Sequence, residues 1–475
     1  MRAPAIVLVV AAGLSATLPA HAFDAADPLS VRALAAPTPR GAGEPGEPKA
    51  PCSFDDAAKA ALSLADVVDR ALCNNPQTRI AWANARVQAA QVGVARSAWL
   101  PTLGASVSAS RNRQDGGTRT GGVPISGTTL YNQESAGLTA SYLLYDFGAR
   151  DATLASALQT LAAANFTHNA TVQKVFLAAV QTYYQFFATR AAVDSAKEAE
   201  RSSLESLKAA TARHETGAAT PADKYQAQTA NSQAVLNRIQ AEGSAKSAEG
   251  ALANVIGLDA NRPVSLVAPT TAVPDRAFER NLDELIGAAR RQRADLAAAE
   301  AQVKVAQASV EAAKATGLPT ISLSTGINYS DTSLSSPFHS QSLGIAVNIP
   351  IFTGFNTTYR VQAAQAQVES QLAQRDSVNL QVALDVWQAY YTLTTNTQAV
   401  RSSADLVASA TQSERVASGR YKAGAGTILD VLTAQSALAS ARLQNIQTIF
   451  NWHIAKAALA QAMGQLDFAA LEEKP

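Results

Sequence analysis

The sequence predicts a mainly α-helical, internally duplicated protein whose long helices are joined to a few β-strands of a membrane type. Three observations support this fold class: a repeat that spans most of the chain, two long segments without proline, and four segments in which apolar and small polar residues alternate. A repeat of roughly 200 residues is longer than the units of solenoid proteins, which have about 20–50 residues. The duplication therefore indicates two copies of a half-molecule.

The repeat shows as two nearly constant offsets. Residues 64–101 align with residues 282–319 at a shift of 218 positions (282 − 64). Residues 183–223 align with residues 390–430 at a shift of 207 positions (390 − 183). The difference of 11 positions (218 − 207) falls within one segment, where a loop could absorb it.

This repeat and the local composition divide the chain into six predicted parts. They are, in order, a signal peptide (1–22), a Pro/Gly/Ala-rich N-terminal arm (23–61), a first repeat of helix, strand hairpin and long helical hairpin (62–257), a connecting equatorial segment (258–281), a second repeat (282–465) and a C-terminal tail (466–475).

The first 22 residues predict export through the inner membrane. Arg2 gives a positive start, Ile6 to Leu18 form a short apolar core, and Ala20-His21-Ala22 matches an A-x-A cleavage site. The apolar core is too short to span a membrane as a helix. We therefore expect a periplasmic, secreted or outer-membrane protein.

Charge and cysteine content narrow the function classes. The chain has 39 Lys and Arg against 38 Asp and Glu, which argues against a nucleic-acid partner because such proteins carry a basic excess. Its two cysteines, Cys52 and Cys73, are expected to form a disulfide in an oxidising compartment and so to pin the N-terminal arm. The alternative is a pair of free, buried thiols.

Two long segments predict antiparallel helical hairpins. Residues 148–216 and 356–423 contain no proline, and segments of this length without internal caps suggest coiled coil. Their apolar residues follow steps of four and three, as in the series Val172, Phe176, Ala179, Tyr183, Phe186 and Val193 and in the series Ala383, Val386, Tyr390, Leu393 and Val400. Much of the remaining surface is Ala, Ser, Thr and Gln, so we expect these helices to need more neighbours than one chain provides.

Each long helix is followed by the same turn signal. Residues 217–223 and 424–430 both read as a glycine helix stop, a threonine N-cap and an aspartate three residues later in a capping box. Pro221 takes the first helical position, where a missing N–H has no cost. The return helices are predicted to end near Gly257 and Gly464.

Four segments alternate with a period of two. They cover residues 103–110, 135–144, 320–330 and 342–349, with apolar residues on one face and Ser, Gly, Thr and Asn on the other. This pattern is typical of transmembrane barrel strands, although a half-buried strand of a soluble sheet has the same period. Four strands cannot close a spanning barrel, so several chains would have to pool them. Residues 111–132 and 331–339 are predicted hairpin loops.

Together these features resemble the TolC family of outer-membrane factors, over essentially all of the mature sequence. The matching motifs are the duplication, the Leu-Pro before each first strand, the glycine exits after each second strand and the hairpin tips, namely Leu100-Pro101, Leu318-Pro319, Tyr145 to Gly148, Phe352 to Gly354, and Tyr421 with Gly424, Thr427 and Asp430. Within that family the chain is most similar to outer-membrane components of type I secretion, in particular the branch that serves adenylate cyclase toxin.

The resemblance implies a homotrimer with a 12-stranded barrel in the outer membrane and a 12-helix tunnel across the periplasm. Implied partners are a periplasmic adaptor, an inner-membrane ABC transporter, an exported protein and outer-membrane lipid. The tunnel would close at the hairpin tips and open when adaptor and transporter engage it.

The resemblance also assigns candidate site residues. Asp430 matches an acid that rings the constriction, Asp223 an acid that helps to lock the closed tip, and Tyr421 an aromatic of the lock. Both aspartates could instead act only as helix caps. Thr433 stands where other members carry a second acid, and Gly426 where some carry a locking arginine. We expect the tips to contact the adaptor, through Gly217, Thr220, Gly424 and Thr427.

No enzyme, cofactor or metal site is predicted. The glycines at 424 and 426 lack the Lys-Ser/Thr ending of a phosphate loop, and His168, His214, His339 and His453 show no metal-ligand spacing. Three functions stay open: a duct that exports an unfolded protein toxin, the same duct in drug or metal efflux, and a periplasmic coiled-coil structural protein without a pore.

Overall fold

The computed structural model describes residues 24, 26–37, 61–120, 123–269 and 281–466, without the side chains of residues 117–126. The predicted signal peptide, Cys52 and all but the first residue of the predicted tail lie outside these residues. The described chain is mostly helical with one small sheet, as predicted. Its elements are α1 (Leu64–Asn74), α2 (Pro76–Ser97), β1 (Thr102–Thr120), β2 (Val123–Tyr145), α3 (Ala149–Glu215), α4 (Pro221–Val255), α5 (Leu282–Gln292), α6 (Ala294–Ala315), β3 (Thr320–Thr332), β4 (Ser335–Asn348), α7 (Asn356–Lys422) and α8 (Ile428–Ala462).

The two long helices have the predicted length. α3 and α7 each contain 67 residues and so extend about 100 Å at a rise of about 1.5 Å per residue. Phe176, Ala179 and Tyr183 are buried along α3, and Val386 and Leu393 are buried along α7, which confirms the predicted coiled-coil row. The helices α4 and α8 return antiparallel to α3 and α7 and end at Val255 and Ala462.

The helices form a single layer with two open edges. Nearer the sheet, the order of neighbours is α2, α3, α6 and α7; nearer the hairpin tips it is α4, α3, α8 and α7. The two largest apolar clusters of this layer lie around Val180, Tyr183 and Leu252 and around Val386 and Trp452. None of the described helices is both long and apolar enough to cross a membrane.

The four strands form one antiparallel sheet in the order β1-β2-β3-β4. Its apolar residues share one face, because Leu138 lies opposite Ala105 on β1 and opposite Ile327 on β3, while Thr325 faces Leu343 on β4. Within the described residues, no helix packs across either face of this sheet. The apolar face is therefore open, with Leu103 and Val107 84% and 86% exposed.

The predicted hairpin loops at 111–132 and 331–339 are wrong. β1 continues to Thr120 and β2 begins at Val123, while β3 and β4 are separated only by Ser333 and Leu334. The reason is physical: alternation of apolar and polar residues reports the environment of a strand, whereas backbone pairing continues through a polar segment as long as two strands stay in register. The first hairpin therefore extends well beyond its apolar band.

Part of the N-terminal arm packs on the helical layer. Val31 is buried against Ala89 and Val92 of α2 and Leu161 of α3. The side chain of Asn165 accepts a hydrogen bond from the Ala36 N–H at 2.7 Å and so ties the arm to α3. Cys73 is buried in α1 and is disulfide-bonded. Since Cys52 lies outside the described residues, the pairing of these two cysteines stays a prediction.

Candidate gate at the hairpin tips

The tip of the first hairpin is a tight glycine turn. α3 ends at Glu215, and Gly217 adopts the left-handed conformation with φ of 75°, which costs a glycine little. The N–H of Gly217 donates to the His214 carbonyl at 3.0 Å, and the N–H of Ala218 donates to the Arg213 carbonyl at 2.8 Å. These bonds satisfy carbonyls that the helix end would leave unpaired.

The second tip repeats this geometry. Gly424 has φ of 76°, its N–H donates to the Tyr421 carbonyl at 3.1 Å, and the N–H of Ala425 donates to the Arg420 carbonyl at 2.9 Å. The predicted helix stops at Gly217 and Gly424 are therefore present.

Both predicted acids sit in complete capping boxes. At the second tip, the Thr427 hydroxyl and N–H donate to the Asp430 carboxylate at 2.9 and 3.0 Å, and the Asp430 N–H donates to Thr427 Oγ1 at 3.2 Å. At the first tip, Thr220 and Asp223 form the same set of bonds at 2.9, 2.9 and 3.3 Å. Each acid thus caps a helix N-terminus, and Asp430 is exposed at the surface whereas Asp223 is partly buried.

The second acid is held in its charged form. Hydrogen bonds from the Thr427 backbone and hydroxyl lower the pKa of Asp430 below its ordinary value, with a further contribution from the positive charge of Arg420. Its carboxylate is therefore available as a fixed negative charge at the tip.

Tyr421 lies between the two hairpins, where it contacts Arg213. The guanidinium carbon of Arg213, in the last turn of α3, is 4.6 Å from the centre of the Tyr421 ring. The ring is only 8% exposed, and its hydroxyl is buried without a hydrogen-bond partner among the described residues. This geometry is a cation–π contact between the ends of α3 and α7.

Apolar and polar contacts support this stack. Tyr421 packs in a small cluster at the base of the tips that also contains Ala210, Ala227, Ile428 and Val431. Farther from the tip, the Gln435 amide of α8 donates to the hydroxyls of Ser202 and Ser206 on α3, at 2.8 and 3.0 Å. The two hairpins of one chain are therefore joined to each other, and the joint lies just behind their tips.

Gly426 is confined by its own turn. A Cβ atom at this position would lie 3.2 Å from the Arg420 Cβ and 3.3 Å from the Tyr421 backbone nitrogen. The Arg420 guanidinium closes the turn by donating to the Ala425 carbonyl at 3.2 Å. A side chain at 426 would therefore require the turn to shift by a few tenths of an ångström.

Thr433 lies on the open face of α8. It is exposed, one turn after Asp430, and borders a shallow groove with Leu432, Ser436, Ala437 and Ser440. The residues that border this groove are uncharged, so Asp430 supplies the acid at this end of α8. Among the described residues, no group of three or more His, Cys, Asp or Glu side chains is placed to hold a metal ion.

The structure thus brings some predicted residues together and keeps others apart. Tyr421 and Asp430 share the second tip, whereas Asp223 caps the first. Sequence reasoning missed Arg213 and Arg420, although a signal was present: both stand four residues before a tip glycine (217 − 213 and 424 − 420) and so occupy equivalent places in the repeat.

Known proteins share this architecture. The profile of the family described as "Outer membrane efflux protein" matches residues 67–258 and 285–465, which includes both hairpins and the sheet. The chain belongs to this family. The resemblance inferred from the sequence motifs is therefore confirmed, and so is the predicted location in the outer membrane.

Individual relatives cover most of the chain. Protein CyaE of Bordetella pertussis is 30% identical over 418 residues, which are 87% of this chain and 86% of that protein. The outer membrane efflux protein BepC of Brucella suis biovar 1 is 26% identical and covers 86% of this chain and 87% of its own. The crystal structure of the Campylobacter jejuni CmeC outer membrane channel superposes with a TM-score of 0.75 at 18% identity, covering 92% of this chain and 96% of that one. Family and fold are those of outer-membrane channels, not of enzymes.

Proposed function

We propose that this chain is one subunit of a homotrimeric channel-tunnel that exports an unfolded protein toxin in a type I secretion system. Three chains would pool their strands into a 12-stranded barrel and their helices into a periplasmic tunnel. The tunnel would work with an inner-membrane ABC transporter and a periplasmic adaptor that contacts the hairpin tips.

The observation that carries this proposal is the pair of open edges on an internally repeated layer. Within the chain, β2 pairs with β3, and α3 packs against α6. The duplication relates the strands and helices of the first repeat to those of the second repeat, so the equivalent contacts are β4 with β1 and α7 with α2. These elements lie at opposite edges of one chain, so they can meet only between two chains.

The sheet gives this contact a register. Leu138 pairs with Ile327 within the chain. Shifting Leu138 by 207 positions and Ile327 back by 218 places Ile345 of one copy opposite Ala109 of the next. Because both belong to the apolar face, this pairing continues that face around a ring. A sheet edge left unpaired in lipid would cost several kcal/mol for each backbone N–H or C=O group that lacks a hydrogen-bond partner.

The face of the sheet opposite the apolar one suits a passage. On β3 and β4 it carries Ser324, Gly326 and Asn328 together with Ser342 and Gly344. If lipid covers the apolar face, these small uncharged side chains line the lumen. Such a lining offers no fixed charge that would hold back an extended polypeptide, which favours a cargo of variable sequence.

The number of subunits and the cargo rest on family resemblance. Three chains follow from the similarity to TolC-type factors, and toxin export follows from the similarity to the type I secretion branch, to which the 30% identity with CyaE lends support. The alternative cargo is a drug or a metal ion, which the family description and the efflux protein BepC favour.

The gate residues are part of the same proposal. Threefold symmetry would bring three Asp430 carboxylates together at the constriction, with Thr433 one turn above them. Tyr421 and Asp223 would both belong to the lock of the closed tip. Gly217, Thr220, Gly424 and Thr427 would form the surface offered to the adaptor.

Two measurements test the proposal. Protein extracted from outer membranes should migrate as a trimer and conduct ions in a planar bilayer; a non-conducting single chain would favour the structural coiled-coil protein. Deletion of the gene should remove one large secreted protein while drug sensitivity stays unchanged. Raised sensitivity to drugs or metals with an unchanged set of secreted proteins would instead establish the efflux alternative.

A further inference from the structure

The free edge of α2 carries an apolar row that no element of the described chain covers. Ile80, Val87 and Val94 are 60%, 53% and 64% exposed. They come two residues after Thr78, Ala85 and Val92, which are buried, and Val92 packs against Leu161 of α3. Two residues turn a helix by about 200°. The row therefore points away from α3, along the open edge of the layer.

The free edge of α7 has a matching row. Leu380 and Leu384 are 68% and 45% exposed, and they come two residues after Val378 and Val382, which pack toward the core. Trp387, 49% exposed, continues this row. The α7 row thus also points away from its neighbours in the chain.

The charges beside the two rows are opposite in sign. α2 contains three arginines and no acid, and Arg79 and Arg86 are exposed one heptad apart beside the apolar row. On α7, Glu369 and Asp376 are exposed one heptad apart beside its row. Asp376 also contacts Arg375 at 2.6 Å on the surface, where an ion pair exchanges easily with solvent.

Direction and height bring these charges together. α2 runs toward β1 and α7 runs away from β4, so the two helices of adjacent copies lie antiparallel. Arg86 lies 11 residues before the end of α2 (97 − 86), and Glu369 lies 13 residues after the start of α7 (369 − 356). The corresponding counts are 18 residues for Arg79 and 20 for Asp376. With the two helix ends level at the sheet, the members of each pair differ in height by two residues, or about 3 Å.

The charged residues also lie on the same side of the seam. They precede the apolar row by roughly a quarter turn on α2 and by roughly an eighth of a turn or less on α7, and in antiparallel helices positions on the same side of the row face each other. The equal heptad spacing lets two ion pairs form at once, about 10 Å apart along the seam.

From this geometry we propose that the edge of α2 is the docking surface for α7 of a second copy, through the pairs Arg86–Glu369 and Arg79–Asp376 beside an apolar seam. The inference rests on the proposed ring of copies and adds which side chains set its register. An exposed pair adds little to affinity, but a reversed charge places like charges opposite each other and penalises the seam.

Charge reversal in the full-length protein tests the pairing. Arg86→Glu and Glu369→Arg should each lower the fraction of oligomer that survives heating in detergent, and the combination should restore it. Lys304→Glu is the matched control, because Lys304 is the repeat equivalent of Arg86 (86 + 218), is exposed and lies on α6 inside the chain. It should neither weaken the oligomer nor restore the Glu369→Arg variant.

Cysteine cross-linking keeps the test decisive if a reversed variant fails to assemble. Oxidation of the Arg86→Cys/Glu369→Cys protein should give bands of two and three linked chains, whereas Lys304→Cys/Glu369→Cys should give none. Absence of linked bands, or a doubly reversed oligomer that is as heat-sensitive as the singly reversed ones, would overturn the proposed seam. If the wild type still assembles in that case, the proposed channel itself is not contradicted. A wild type that runs as a single chain would overturn the ring itself.

Discussion

Arg213 and Tyr421 stack on each other with the guanidinium carbon 4.6 Å from the ring centre, and this contact joins the two hairpins of one chain at their tips. The two residues are 208 positions apart (421 − 213), and each occupies the last turn of a long helix. A cation–π contact of this kind contributes about 0.5–2 kcal/mol, depending on how far it is desolvated. In a trimer it would act three times.

Arg213→Ala should therefore loosen the closed tip. Removing the guanidinium leaves the Tyr421 ring packed on one side only, and we expect larger or more frequent openings in single-channel recordings. Arg213→Lys should give an intermediate effect, because an ammonium group keeps the charge but loses the planar stack. Tyr421→Phe should leave the gate closed, since the ring is retained and the lost hydroxyl has no partner among the described residues.

Lys208→Ala provides the control for this series. Lys208 lies on the same helix and is exposed, so its removal changes the net charge equally without touching Tyr421. Equal channel behaviour in the Arg213→Ala and Lys208→Ala proteins would contradict a locking role for the stack.

Asp430→Asn should reduce block of the channel by divalent cations such as Mg²⁺. Asparagine can still accept the bonds of the Thr427 cap, so the helix end stays intact while the charge is lost. If Asp430 is only a cap, block in planar-bilayer recordings should match that of the wild type. Asp223→Asn, the equivalent change at the first tip, should leave block unchanged.

The pH dependence of this block follows from the cap. Because the pKa of Asp430 is lowered below its ordinary value of 3.8, the charged form prevails at all higher pH. The stabilisation by this cap is therefore present above that value and is lost as pH falls through the lowered pKa. Block should persist from neutral pH to roughly pH 5. Loss of block already near neutrality would show that the carboxylates of a ring raise one another's pKa.

Local sequence signals were sufficient to predict where the long helices end and where the return helices begin. Gly217 with Thr220 and Gly424 with Thr427 end and restart helices through bonds that reach only a few residues, so their outcome depends little on the rest of the fold. The coiled-coil row through Tyr183 was equally readable, because burial along a helix follows its period.

Contacts between the hairpins could not be read in the same way. The partner of Arg213 depends on how α3 and α7 are placed side by side, which no local pattern encodes. The ends of the strands also escaped prediction, since Thr120 and Val123 belong to a paired hairpin whose residues no longer alternate in polarity. The apolar face marks where a membrane would lie but not where pairing stops.

Replacing Cys52 and Cys73 with serine should loosen the N-terminal arm and leave trimers intact. A bridge between them would close a loop of 21 residues (73 − 52), which corresponds to about 3 kcal/mol of stabilisation in the chain-entropy view. The described part of the arm contacts α2 and α3 of its own chain through Val31. Limited proteolysis should therefore cut the arm faster, while gel migration stays that of the oligomer. Loss of the oligomer would mean that the arm takes part in assembly.

Arg293 and Asp385 form a clamp that the first repeat lacks, and its removal should destabilise the equatorial part of the layer. Arg293 is 9% exposed at the start of α6, and it donates to Asp385 of α7 at 2.6 Å and to Asp295 at 2.6 and 3.0 Å. Its repeat equivalent is Asn75 (293 − 218), an ordinary helix cap.

Asp385→Ala leaves the Arg293 guanidinium with one acid. We expect the free energy of unfolding to fall by about 1–3 kcal/mol, because the remaining Asp295 and partial exposure limit the cost. Thermal unfolding followed by circular dichroism would measure it. Asp385→Asn should lose less, and Glu311→Ala, which breaks an exposed pair with Lys314, should change stability by under about 0.5 kcal/mol. An Asp385→Ala midpoint equal to that of Glu311→Ala would show that the clamp contributes no more than a surface pair.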